Sequence, residues 1–440
     1  MEISHQPFSS LVITLTIKIY FGLEKFNCFN LSFASSLPSL MGPVKLFHNS
    51  NPVTIALKRE GTKLSLVDFI AKKCPSIVGP NAVYHPTPYL FNGHLQTAYA
   101  SYYNGTSSKQ EIEYERELLS LPDGGQLALD WAPIKPTDMT DKTPILICLH
   151  GLTGGSYEAY IRSVLEVITR DPFNYRGVVI NSRGCAGSNI TTPQLYNGAY
   201  TEDARNAIKY IQQSLAPGTP LIGIGFSLGS NILVKYLGEE GDKTPLVAAM
   251  SVANPFDFKS SIEMLHQSIL GRRVYSTAMA TNLKNSFKRH MDMLVKGGKI
   301  DPEKVMSSNT LCEFDEVCTR RLGDYSTVNN YYRDASSCRF IEFVRIPLLC
   351  FNALDDPIAL KACIPYDEIK INPNVVLATT ERGGHIGWFE HTLSPTRWIV
   401  KPLAEFFVAI AEAYDTRESS ASSLTPTEVD AAVDKFQSKS

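Results

Sequence analysis

The chain has 440 residues, 44% of them hydrophobic and 20% charged, with a formal net charge of −2. That is an ordinary globular composition, and the length suits two or three domains or one α/β domain enlarged by insertions. A near-neutral charge without basic clusters interleaved with aromatics excludes nucleic acid as a partner.

Residues 1–40 are unlike the remainder. Positions 11–23 are apolar apart from Lys18 and Gly22, too short a run for a secure membrane span, and no Lys or Arg precedes them as a secretory signal requires. They read as a weak anchor, an interfacial segment, or a disordered extension upstream of a natural start at Met41. From Met41 the chain is more regular. Residues 64–72 suit a short helix, and 85–97 carry too much proline and glycine for one regular element. Strands are expected at 114–121 and 126–131, joined by the hairpin signal Pro122-Asp123-Gly124-Gly125.

Residues 145–149 form a buried strand leading into His150-Gly151-Leu152, with a helix over about 157–169. A strand at 177–181 precedes Ser182-Arg183-Gly184-Cys185, and a helix covers 202–213. Residues 221–226 read as a strand and 228–236 as an amphipathic helix. Another strand at 246–252 ends at Asn254-Pro255-Phe256-Asp257. The alternation predicts an α/β fold with a mostly parallel, eight-stranded sheet and helices on both faces. Residues 258 to about 340 interrupt it with helical sequence, expected to lie over the strand ends as a lid. Strands resume at 347–352 and 375–379, followed by a helix over 395–414. The domain is thus expected to span 41–415, and 416–440 to be a polar, disordered tail. No internal repeat is present.

Nine cysteines form an odd count without metal-ligand spacing, and Cys148 and Cys350 sit in apolar strand-like runs. Cys312 and Cys318 are close enough to pair, but nothing else resembles a disulfide framework, which points to a reducing compartment.

Gly225-Phe226-Ser227-Leu228-Gly229 is a G-x-S-x-G between a strand and a helix. The glycines permit a tight turn that lifts the Ser227 hydroxyl above the sheet, where the helix N-terminus favours developing negative charge. A bare match to this pattern is a modest signal, since glycine-rich turns also serve packing alone; its flanking strand and helix strengthen it. A serine hydroxyl needs a base oriented by an acid, in the chain order Ser, Asp or Glu, His. Asp356, in the Asp-Pro-Ile turn after strand 347–352, is the expected acid, with Asp355 the alternative. His385, in Arg382-Gly383-Gly384-His385, is the expected base, and His391 the fallback. The oxyanion hole is expected from the Leu228 and Leu152 amides, and His150 to be structural. No G-x-G-x-x-G, P-loop or metal-ligand cluster occurs, so no cofactor or metal is expected.

These motifs resemble the α/β-hydrolase family 4 proteins. Further matching segments are Asn92-Gly93-His94-Leu95-Gln96-Thr97, Tyr331-Tyr332-Arg333, and 352–357, so the resemblance covers about residues 45–410. Residues 237–242 and 121–125 lean towards fungal members, among them medium-chain fatty acid ethyl ester synthase/esterases. The resemblance implies an α/β-hydrolase fold and a Ser227–His385–Asp356 charge relay. It also implies ester chemistry on an acyl ester or acyl-CoA with water or an alcohol as acceptor. It further implies an intracellular location, cytoplasmic or at a membrane or lipid-droplet surface. No histidine is followed five positions later by aspartate, so the H-x-x-x-x-D acyltransferase signature is absent. Acyl transfer then has to run through an acyl-serine. The C-terminal Ser438-Lys439-Ser440 lacks the leucine of a peroxisomal signal.

Overall fold

The computed structural model describes residues 42–57, 61–80, 82–106, 112–415 and 425–437. The segment at 1–40 and the last three residues therefore lie outside the described residues. Nine strands form the central sheet: β1 (Lys45–His48), β2 (Glu115–Ser120), β3 (Gln126–Ala132), β4 (Ile145–Leu149), β5 (Arg176–Asn181), β6 (Leu221–Phe226), β7 (Leu246–Val252), β8 (Leu348–Ala353) and β9 (Val375–Thr380). Their spatial order is β1-β9-β8-β7-β6-β4-β5-β3-β2. The six strands from β9 to β5 in that order run parallel, and β2, β3 and β1 add the antiparallel edges. The ninth strand corrects the expected eight. Lys45–His48 pairs with Val376–Thr379 across more than 300 residues, and four residues carry too short a pattern to announce it.

The central strands are buried along their whole length because helices cover both faces. The helices that precede the insertion are α1 (Leu66–Lys73), α2 (Gly93–Thr106), α3 (Ala159–Ile168), α4 (Glu202–Gln213) and α5 (Leu228–Glu240). Between β7 and β8 comes the helical insertion, with α6 (Phe258–Gln267), α7 (Thr277–Leu294) and α8 (Val328–Ala335), and π-helical turns at Gly271–Ser276 and Asp315–Thr319. Its Leu283, Phe287, Leu294 and Phe314 belong to the same apolar cluster as β4 and β5, so the insertion is anchored in the core. After β9, α9 (Val400–Tyr414) is nearly all buried.

Residues 85–97 are not one element, as expected: α2 begins at Gly93, so five of the six residues of the Asn92–Thr97 motif are helical, and Thr87 and Leu90 close the turn before it. Two further expectations are corrected. First, the tail holds a helix, α10 (Pro426–Gln437), which packs on α9 and α3. Val429, Ala432 and Val433 form its buried stripe at helical spacing. Thr425 caps it reciprocally with Glu428, a T-x-x-E box visible in the sequence. Second, Cys312 and Cys318 are both free thiols, as are all eight cysteines of the described residues. Six residues apart on a helical path, their side chains leave on different faces.

Candidate active site

β6 delivers Ser227 at the top of the sheet, and α5 starts at the next residue. Ser227 has φ +50° and ψ −118°, a region side-chain-bearing residues avoid. The turn is fixed by bonds on both sides. The Ser227 N–H donates to the Val252 carbonyl (2.9 Å), and the Ser227 carbonyl accepts from Ser230 N–H, Asn231 N–H and Ser230 Oγ. Both glycines are sterically required. A Cβ on Gly225 would lie 2.5 Å from the Gly229 carbonyl oxygen, and one on Gly229 2.4 Å from that of Leu149.

The acid and base arrive from the ends of the next strands. His385 Nε2 lies 2.7 Å from Ser227 Oγ, and His385 Nδ1 lies 2.8 Å from Asp356 Oδ2. The Asp356 carboxyl is fully buried, and its Oδ1 accepts from the amides of Ile358 (2.7 Å) and Ala359 (2.8 Å). With acceptors only on the Asp356 side, the imidazole proton sits on Nδ1. Nε2 is then free to accept from the serine hydroxyl. The structure thus brings together Ser227, His385 and Asp356.

Asp355 points elsewhere. Its Oδ1 accepts from the Gly384 amide (3.0 Å), so it supports the histidine loop from behind, and burial pushes its carboxyl up to about 6. His391 is set apart from this chain of bonds, with an exposed ring 3.6 Å from Glu390. His150 is buried, and burial pushes it down to about 4. Ser182 N–H donates to its Nε2 (3.0 Å), which places the proton on Nδ1, facing the Gly151 carbonyl (2.7 Å). It is a neutral strut of that turn.

The turn also holds Leu152 beside Ser227. Its ordering bonds use the amides of Gly151, which donates to Tyr160 Oη (3.0 Å), of Thr153, which donates to Tyr196 Oη, and of Gly154. None uses the Leu152 amide among the described residues. Leu228 opens α5, so its N–H has no acceptor within the helix. Leu152, Leu228 and Ser227 all line one cavity.

Sequence reasoning missed what 93–97 does. Thr97 Oγ1 accepts from the His385 amide (2.9 Å) and donates to the Gly93 carbonyl (2.7 Å). Gln96 accepts from Phe389 N–H (2.8 Å), and a Cβ on Gly384 would meet the Gly93 carbonyl at 2.5 Å. This motif clamps the histidine loop. His94 reaches the other way, its Nδ1 2.7 Å from the hydroxyl of Tyr275 in the insertion. The density of small and polar residues in Asn92-Gly93-His94-Leu95-Gln96-Thr97 was the one available signal.

Over Ser227 the insertion supplies the rest of the cavity, with Phe258, Ile262, Leu265, Met279, Leu283 and Leu311 as apolar walls. One carboxyl also lines it. Asp315 accepts from Thr319 Oγ1 (2.6 Å) and Tyr332 Oη (3.0 Å), and burial pushes it up to about 7. Among the described residues, no group of three His, Cys, Asp or Glu is arranged to hold a metal ion.

A largely parallel sheet with its serine on a strand-to-helix elbow, followed in order by aspartate and histidine, defines the α/β-hydrolase class. The family profile described as "alpha/beta hydrolase fold" matches residues 144–392, and the chain belongs to that family. The monoacylglycerol lipase of Saccharomyces cerevisiae is 33% identical over 390 residues, covering 79% of this chain and 85% of the relative. The human phospholipase ABHD3 is 36% identical over 325 residues, covering 73% of this chain and 76% of its own length. The medium-chain fatty acid ethyl ester synthase/esterase 2 of Saccharomyces cerevisiae is 29% identical, covering 88% of this chain and 97% of the relative. No helix of the described residues is long and apolar enough to cross a membrane.

Proposed function

We propose that the protein is a serine esterase that cleaves medium-chain acyl esters through an acyl-serine intermediate. The observation that carries this reading is the unbroken hydrogen-bonded chain from Ser227 through His385 to Asp356, opening on an apolar cavity. In this mechanism Ser227 Oγ attacks the ester carbonyl carbon while its proton passes to His385 Nε2. Asp356 holds the ring in the right tautomer and stabilises its charged form. The oxyanion accepts from the Leu228 and Leu152 amides, each worth on the order of 3 kcal/mol in the transition state. Collapse breaks the ester C–O bond, and His385 returns the proton to the leaving alkoxide. Water, deprotonated by His385, then releases the acid and restores Ser227.

An alcohol in place of water yields a new ester, and an acyl-CoA in place of the ester loads the same serine. Ethyl ester synthesis is therefore part of the proposal, supported by the synthase/esterase among the relatives. A second reading, a monoacylglycerol lipase or phospholipase working at a membrane or lipid-droplet surface, is favoured by the names of two relatives.

The test is turnover of p-nitrophenyl esters of graded chain length, with ethanol as competing acceptor, beside the Ser227→Ala protein. Serine-dependent cleavage peaking at medium chains, with ethyl ester in the products, is expected. Cleavage retained by Ser227→Ala would overturn the assignment.

A further inference from the structure

The cavity above Ser227 has apolar walls, yet it contains a carboxyl group. Asp315 is 5% exposed and takes part in no ion pair among the described residues. Its two partners are the hydroxyls of Thr319 and Tyr332, both themselves lining residues. Several other polar groups of the wall are engaged by backbone. Tyr331 Oη accepts from Gly198 N–H, Asn197 Oδ1 from Ala199 N–H and Tyr200 N–H, and Ser261 donates to the Pro255 carbonyl.

A carboxylate offers about four lone-pair sites, and hydroxyls occupy two. Burying a carboxyl without a cation is costly, and an amide or a leucine would pack the same place at lower cost. The backbone is also unusual here: Asp315 opens a π-helical turn whose last residue is its partner Thr319. Such turns recur where a helix is re-aimed for a functional site.

We propose that this pocket receives an acyl chain carrying a hydroxyl group, whose O–H donates to Asp315. The inference rests on the reading that Ser227 is acylated within this cavity. Asp315 then acts as a specificity residue: it touches the substrate away from the reacting carbonyl, and favours hydroxyacyl esters over plain ones of equal length. A chain without the hydroxyl leaves the carboxyl desolvated against hydrocarbon, which penalises the competitor as well as rewarding the substrate.

The experiment compares kcat/KM for p-nitrophenyl octanoate with that for the ω-hydroxy and (ω−1)-hydroxyoctanoates. It uses the full chain, the Asp315→Asn and Asp315→Leu variants, and Ser227→Ala. Above pH 7, where Asp315 is ionised, a hydrogen bond to a charged group predicts that the wild type favours the better hydroxy ester by about ten- to a hundredfold, chiefly through KM. Asp315→Leu should reverse that order by accelerating octanoate and slowing the hydroxy ester, and Asp315→Asn should retain part of the preference. A role confined to fastening the insertion would lower all esters in proportion. An unchanged ratio across the variants, or a wild type indifferent to the hydroxyl, overturns the inference even if Ser227 remains essential. Turnover surviving in Ser227→Ala would instead overturn the site assignment beneath it. Should Asp315→Leu fail to fold, the wild-type ratio and the isosteric Asp315→Asn still decide the matter.

Discussion

The elbow predicts an inverted ranking of two substitutions at one position. Ser227 holds φ +50° and ψ −118°, and its Cβ is what makes that conformation costly. Such strain amounts to about 1–3 kcal/mol. Ser227→Ala keeps the Cβ and the strain, whereas Ser227→Gly removes both. Glycine loses about 0.4–1 kcal/mol of this gain through the greater freedom of its unfolded chain. Both variants lose the hydroxyl bonded to His385, so that contact cancels between them. Ser227→Gly should therefore be more stable than Ser227→Ala by about 0.5–2 kcal/mol, although glycine is ordinarily the less stabilising of the two. The assay is denaturant unfolding of the two variants side by side, read as a midpoint difference at unchanged slope. Neither variant should turn over an ester. If Ser227→Gly unfolds at the same or a lower denaturant concentration, the backbone is not strained at this residue and the argument fails.

Asp356→Asn should lower kcat by roughly a thousandfold or more by favouring the wrong imidazole tautomer, while Asp355→Asn should cost no more than about tenfold; parallel steady-state kinetics would show whether the two have been assigned the right way round. Thr97→Val leaves the His385 amide without its acceptor and loosens the ring, so kcat/KM should fall by about ten- to a hundredfold with the chain-length profile unchanged, and Thr97→Ser should restore it. Arg183, buried between Asp123 and Asp203, should cost about 3–5 kcal/mol when changed to Ala, because Asp203 is left largely buried and uncompensated; thermal unfolding at fixed pH measures it. Asp315, near 7 in the fold against an ordinary 3.8, holds a proton between about pH 4 and 7 that the unfolded chain has released. The stability of the wild type relative to Asp315→Asn should accordingly fall as pH rises through that window, by at most about 4 kcal/mol, and level off above it; a flat difference from pH 4 to 8 would refute the shift.

The legible parts of the site obey local rules. Gly225 and Gly229 declare a turn because a Cβ at either collides with backbone, and that exclusion is written in the residue types. His385 was marked by its glycines, two of which hold φ +148° and +60°. The choice between Asp355 and Asp356 is one residue wide, and strand β8 decides it by which carboxyl it presents to the ring. The Asp-Pro-Ile turn after the strand favoured Asp356 without showing what Asp355 does for Gly384. The tail helix was also readable, from Thr425, Glu428 and an apolar stripe, but the surrounding polar residues outweighed a pattern of three positions.

What stayed hidden depends on contacts made across most of the chain. Thr97 and His385 are 288 residues apart; Gly384 must lack a side chain because the Gly93 carbonyl lies against it, and Gly93 because the Asp355 carbonyl does. Neither requirement has a periodicity, and each is intelligible only when the other partner is in view. The same holds for Asp315, whose sequence neighbourhood is an ordinary helical run of mixed polarity. Only the fold shows that its carboxyl borders the apolar space above Ser227. Reaction type is therefore encoded locally, in an elbow and two loops built from glycine and aspartate. On the proposed function, selectivity depends on what the insertion carries over that elbow, since many of the cavity's apolar walls come from segments between β7 and β8.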